Sequence, residues 1–171
     1  MRPTRRFAAQ RGIDMGRFAA VDPSSASQIA VSSSACCVAL RARRMSRIIT
    51  RIYDEAMRPL HLTASQFTLL TAIAQQDGVT AAEIGFDLDI EKSTLSRNLK
   101  RLVSDKLIAM DPPAGRRGRG LHLTEPGEKA IQLAFPVWRN TQERVEAALG
   151  DESTGTFDRL LDSAEKMLAA A

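Results

Sequence analysis

Apolar residues recur with a helical period along most of this chain, and the pattern turns strand-like only around residues 107–124. Over residues 36–57, Met45, Ile48, Ile49, Ile52, Tyr53 and Ala56 form one stripe, while Arg41, Arg43, Arg44, Arg47 and Arg51 lie largely off it. Spacings of three and four predict an amphipathic helix, and Pro59 ends it because proline cannot continue the hydrogen-bond ladder. Thr63 followed by Gln66 predicts a capping box. It opens a helix that buries Phe67, Leu70, Ile73 and Ala74, with Gly78 as its stop. Thr80 is expected to cap a short helix carrying Ala81, Ile84 and Leu88. A tight turn at 89–91 then leads into another helix from Ser93. The segments LIAMD (107–111) and GLHLT (120–124) predict the two strands of a hairpin, with GRRGRG (115–120) at its tip. Thr124 predicts the cap of a long helix, in which Ile131, Ala134, Trp138, Thr141, Val145 and Ala148 alternate spacings of three and four. That is the seam of a helix packed on another helix, and Pro136 is expected to kink it. A last helix starts at Asp151, with Phe157, Leu160, Leu161, Ala164, Met167 and Leu168 on one face.

The helix from Ser93 carries the chemistry. Leu95, Leu99 and Leu102 share its inner face; Ser93, Arg97, Lys100 and Ser104 lie opposite, flanked by Thr94, Ser96 and Arg101. Hydroxyls and cations on one face can donate to phosphates and reach base edges in a major groove. Taken alone, such a face also describes an ordinary solvated helix. Its neighbours change the picture. Two short helices joined by a tight turn make a helix-turn-helix, and a hairpin bearing Arg116, Arg117 and Arg119 follows directly. The predicted architecture is mainly α with a small β-hairpin wing.

Charge supports this placement. The 171 residues carry a net +4. Residues 1–34 hold five arginines and two aspartates, residues 35–124 hold 14 basic and nine acidic groups, and residues 125–171 hold five and nine. The positive excess therefore coincides with the helix and the arginine-rich hairpin, and the acidic end is expected to face away from a polyanion. The hydrophobic fraction of 44% is enough for a core. Residues 1–34 read as a disordered basic extension, or as the product of a start codon upstream of a true start at Met15. Residues 35–171 read as one domain: helix-turn-helix about 80–104, wing about 107–123, and outer helices about 36–57 and 125–168.

In order and in motif the chain resembles the MarR family of winged-helix transcription regulators. The residues that carry the resemblance are LTASQFTLL at 62–70, the pattern TxxEIxxxLxIxKSTLSRNLKRL at 80–102, LHLTEPG at 121–127 and FPVW at 135–138. It implies a DNA-binding homodimer joined through the first and last helices. Each recognition helix would enter a major groove of a palindromic operator; separately, two adjacent cysteines that cannot staple a fold point to a reducing, cytoplasmic compartment. Ser93, Thr94, Ser96, Arg97 and Lys100 fall on recognition positions, and Arg117 falls on the wing arginine of the minor groove; Arg101, Arg116 and Arg119 are further candidate DNA contacts by their charge. The chain departs from the pattern at Gly115, where the family usually has an aspartate that braces the wing.

Two further groups of residues could regulate such a protein. Tyr53, His61, Phe67 and Trp138 are candidates for lining a pocket for a small aromatic carboxylate; aromatic residues at helical spacing are equally ordinary core. The adjacent Cys36 and Cys37 are candidates for a redox sensor, and equally small buried hydrophobes. His61 and His122 stand isolated in the sequence, so no metal site is expected. Nothing resembles a nucleotide fingerprint or a nucleophile–base pair, so neither a cofactor nor enzymatic activity is expected. The expected function is a repressor released by a small aromatic ligand. Thiol-based sensing and an RNA-binding winged helix are the alternatives.

Overall fold

The structure is a computed structural model that describes residues 25–27, 29–30, 33, 37–112, 118–150 and 152–170. The chain divides into two units, residues 1–48 and 49–171. Helix α1, Val38–Met57, begins in the first and ends in the second. A 3-10 turn, Arg58–Leu60, follows α1 and contains Pro59.

In α2, Ala64–Gln75, the predicted capping box is present: Gln66 N–H donates to Thr63 Oγ1 at 3.2 Å, and Thr63 N–H donates to Gln66 Oε1 at 2.9 Å. The helix packs against α4 (Lys92–Ser104), α5 (Glu125–Leu149) and a strand, β3 (Gly120–Leu123). It buries Gln66, Phe67, Leu69, Leu70 and Ile73. Ala74, expected inside, is exposed, because covering stops at Ile73 and residues 74–77 all face solvent. Gly78 does not stop the helix. Gln76 is already extended, and Gly78 instead turns the chain at φ +78, a conformation that favours glycine, with its N–H on the Leu121 carbonyl at 3.0 Å.

That turn begins a strand the periodicity did not reveal. β1, Val79–Thr80, is only two residues long, too short to show alternation. With β2, Ile108–Met110, it flanks β3 in an antiparallel sheet of order β1-β3-β2. Val79 pairs with Leu121 and Thr80 with Gly120; Ile108, Ala109 and Met110 pair with Leu123, His122 and Leu121. Thr80 then caps α3, Ala81–Asp87, in a second capping box with Glu83.

The core gathers Met57, Phe67, Leu69, Leu70 and Ile73 with Val79, Ile84, Leu95, Leu99, Leu102, Ile108, Leu121 and Ala134. Fully burying one such leucine contributes about 1.5–3 kcal/mol, so three buried leucines hold α4 by its inner face. Along α5 the seam is uneven: Ala134 and Thr141 are buried, Ile131, Trp138 and Val145 half-buried, and Ala148 exposed. Pro136 lies inside this helix without ending it. Helix α6, Ser153–Ala169, follows Glu152; Asp151 lies outside the described residues. Its apolar stripe is open, with Leu160, Leu161, Met167 and Leu168 each more than half exposed. No helix among the described residues is long and apolar enough to cross a membrane.

Candidate nucleic-acid interface

Helix α4 turns out as its spacing predicts. Leu95, Leu99 and Leu102 are buried, while Ser93, Thr94, Ser96, Arg97, Lys100 and Arg101 are all exposed. Its first turn is fixed by Glu91, which sequence reasoning placed only in the preceding turn. The Glu91 carboxylate accepts from Ser93 N–H at 2.8 Å, from Thr94 N–H at 3.2 Å and from the Ser93 hydroxyl. The Ser93 hydroxyl, then the Thr94 N–H, with nearby Arg97, hold Glu91 below the usual carboxylate range. Its position directly before the helix was the available signal, since an anion is favoured at a helix N-terminus.

The cations of α4 differ in what they touch. Arg97 directs one guanidinium nitrogen to the Thr94 hydroxyl at 3.3 Å. Arg101 is engaged with Asp105 one turn on, at 2.8 Å. Lys100 and Ser96 line a groove of about 880 Å³ between α3, α4 and the wing arms, together with Lys92, Met110, Gly118 and Arg119. Its lining is mostly apolar, with Leu95, Leu99, Ile90 and Val103, and its cations come from α4 (Lys92 and Lys100) and from the wing (Arg119). Arg119 closes the root of the wing: its Nε–H donates to the Asp111 carbonyl across the hairpin. Arg116 and Arg117, with Gly115 beside them, lie outside the described residues.

His122 is not isolated. Its Nδ1 lies 2.8 Å from Asp77 Oδ1 and its Nε2 lies 3.1 Å from Asp111 Oδ1. The hydrogen bond and charge of Asp77, joined by those of Asp111, raise its pKa above the ordinary histidine value. These partners stand 45 and 11 residues away in sequence, so only the sheet pairing brings them together. Among the described residues no group of three His, Cys, Asp or Glu side chains is placed to hold a metal ion.

Of the aromatic set, Phe67 is buried and meets Trp138 with ring centroids 6.3 Å apart; Trp138 also stacks on Phe135 at 5.9 Å. Tyr53 packs against the same core, and its hydroxyl bonds to Gln142 Oε1. His61 stands exposed in the left-handed conformation at φ +56. None of the four lines the groove beside α4. Cys37 is a free thiol, half-buried just before α1, and its Sγ accepts from Leu40 N–H at 3.4 Å. Cys36 lies outside the described residues.

An exposed basic second helix that follows a short helix anchored by Ile84, with an antiparallel wing after it, defines a winged helix-turn-helix protein. Comparison with known proteins specifies the family. A family model described as the MarR family matches residues 61–118. The transcriptional regulator MosR of M. tuberculosis is 31% identical; the likeness covers 79% of this chain and 97% of that one, with a TM-score of 0.68. A structure of MosR in complex with DNA is 32% identical, covering 77% and 98%, with a TM-score of 0.67. A candidate transcriptional regulatory protein for the hcr operon of Thauera aromatica is 29% identical over 102 residues, 58% of this chain; the match spans 61% of that protein's length. The HTH-type transcriptional repressor Rv2887 of M. tuberculosis is 26% identical over 121 residues, 70% of this chain and 86% of that one. The chain belongs to the MarR family of transcription regulators.

Proposed function

We propose that this protein is a homodimeric repressor that binds a palindromic DNA operator in the cytoplasm. The observation that carries the reading is the exposed face of α4, Ser93 to Arg101, beside a groove lined by Lys92 and Lys100 from α4 and by Arg119 from the wing. In this reading α4 lies in a major groove, where Arg97 reaches a base edge. The wing lies over the adjacent minor groove, with Arg117 as its reading arginine. The phosphate ridge between the two grooves meets Lys92, Lys100 and Arg119. That the similar MosR has been solved in complex with DNA supports the DNA partner, and the repressor name of Rv2887 supports the sign of regulation.

The apolar stripe of α6 is the surface offered to a second copy. For release from DNA we propose a small aromatic carboxylate acting near Tyr53, Phe67 and Trp138, whose rings share the core that anchors α2 to α5. Sequencing the genomic fragments retained by the purified protein tests the main reading. The expected result is one palindromic motif with half-sites about 34–36 Å apart, one turn of DNA. Equal retention of random fragments, or preferential competition by RNA, overturns it.

A further inference from the structure

We propose that His122 is a positioning residue for the wing, acting as a proton-dependent clasp that joins the wing root to the loop before β1. The proposal rests on the wing being a DNA-contacting element, as above.

The geometry requires a particular protonation state. Each imidazole nitrogen faces a different carboxylate, Asp77 at 2.8 Å and Asp111 at 3.1 Å. An ionised carboxylate only accepts hydrogen bonds. A neutral imidazole donates from one nitrogen only, whereas the imidazolium donates from both. Only the cation satisfies both partners, and the two carboxylates in turn favour the cation.

The three residues come from three places in the fold. Asp77 precedes the Gly78 turn into β1. His122 is on the central strand β3, in register with Ala109 of β2. Asp111 leaves β2 into the wing, and its N–H donates to the Gly120 carbonyl at 2.9 Å. Among the described residues, the charged side chains facing the imidazole are therefore Asp77 from the loop and Asp111 from the wing. Among the described residues, Arg119 also stands at this root, bonded to the Asp111 and Met110 carbonyls. Losing the proton breaks one of the two His122 bonds and leaves two carboxylates on a neutral ring. The wing arm carrying Asp111 is then held by fewer contacts.

The sign follows from the raised pKa of His122. The clasp is complete at low pH and is lost as pH rises through that raised value. Operator affinity is expected to fall several-fold over the same interval. His122→Gln should give a flat profile at the weak, high-pH level, and His122→Arg, a permanent cation with donors for both carboxylates, a flat profile at the tight level. The chain has two histidines, so ring NMR resolves them, and His122 should titrate above the ordinary value in the wild type and lower in Asp77→Asn. A mere phosphate contact is distinguished by salt: its loss lowers the slope of affinity against salt by about one, whereas a positioning role leaves that slope unchanged in His122→Gln. A wild-type pH profile in His122→Gln, an ordinary His122 titration, or a reduced salt slope overturns the proposal. If the wild type binds no operator at any pH, the DNA reading fails. The clasp is then judged by hydrogen exchange of the Asp111 and Gly78 amides, which should be faster in His122→Gln than in His122→Arg at one pH; equal rates overturn it.

Discussion

Arg97 and Glu91 show how single residues divide the work on α4. Arg97 is exposed, and beside the nearby Glu91 charge it holds a hydrogen bond to the Thr94 hydroxyl at 3.3 Å, a contact weak enough to exchange for a base. Arg97→Ala is expected to cost about 1–3 kcal/mol on the operator and to relax sequence preference at one base pair. Fluorescence anisotropy on operator and scrambled DNA checks this; equal losses on both would assign Arg97 to phosphate alone. Glu91 and Glu83 act through helix ends. Hydrogen bonds from Ser93 and Thr94, and from Thr80, depress their pKa values. Their contribution is therefore present above the ordinary carboxylate range and lost as pH falls through the depressed values, the opposite sign to His122. Thr80→Ala removes the cap hydroxyl of α3 and is expected to cost about 0.5–2 kcal/mol, read by urea unfolding. No change in midpoint would mean that the sheet pairing at Thr80, not the cap, fixes that end.

Helices proved legible from sequence where one residue type has one use. Thr63, Thr80 and Thr124 each stand before an apolar-periodic run, and each accepts from the N–H three residues on. Leu95, Leu99 and Leu102 have no other role available on a polar helix. Elements that depend on distant partners were not legible. β1 is two residues that become a strand only because Gly120 and Leu121 lie opposite. The His122 clasp joins residues 77, 111 and 122, which share no local pattern. Gly127 makes the same point. Sequence places it in the first turn of α5, but only the structure shows that a side chain there would meet the Leu107 carbonyl. That carbonyl already accepts Thr124 N–H at 3.2 Å, so it cannot move away freely. Gly127→Ala is expected to destabilise the fold by about 1–3 kcal/mol, the usual result of overpacking, with α5 displaced from the β2 end of α4. An unchanged melting temperature would show that this contact relaxes without loss.

At the scale of the whole molecule, the open stripe of α6 demands a partner. Leu160, Leu161, Met167 and Leu168 are exposed at 62%, 58%, 75% and 78%. Soluble monomers rarely leave large contiguous apolar patches uncovered. A second copy covers this stripe in the proposed dimer, because a palindromic site needs two recognition helices related by a twofold axis. Leu161→Asp is the informative variant. Leu161 is 58% exposed and is not one of the buried core residues, so the change should leave the fold and the helical circular dichroism intact. A charge at a buried interface without a partner is strongly unfavourable, so light scattering should report a dimer for the wild type at micromolar concentration and a shift towards monomer for the variant. Operator binding should fall with it and become steeply dependent on protein concentration, since both half-sites must be filled from separate chains. Raising the variant's concentration should then restore part of the binding, which loss of a direct DNA contact would not allow. A wild-type monomer, or a Leu161→Asp variant that stays dimeric, would move the second copy off this stripe.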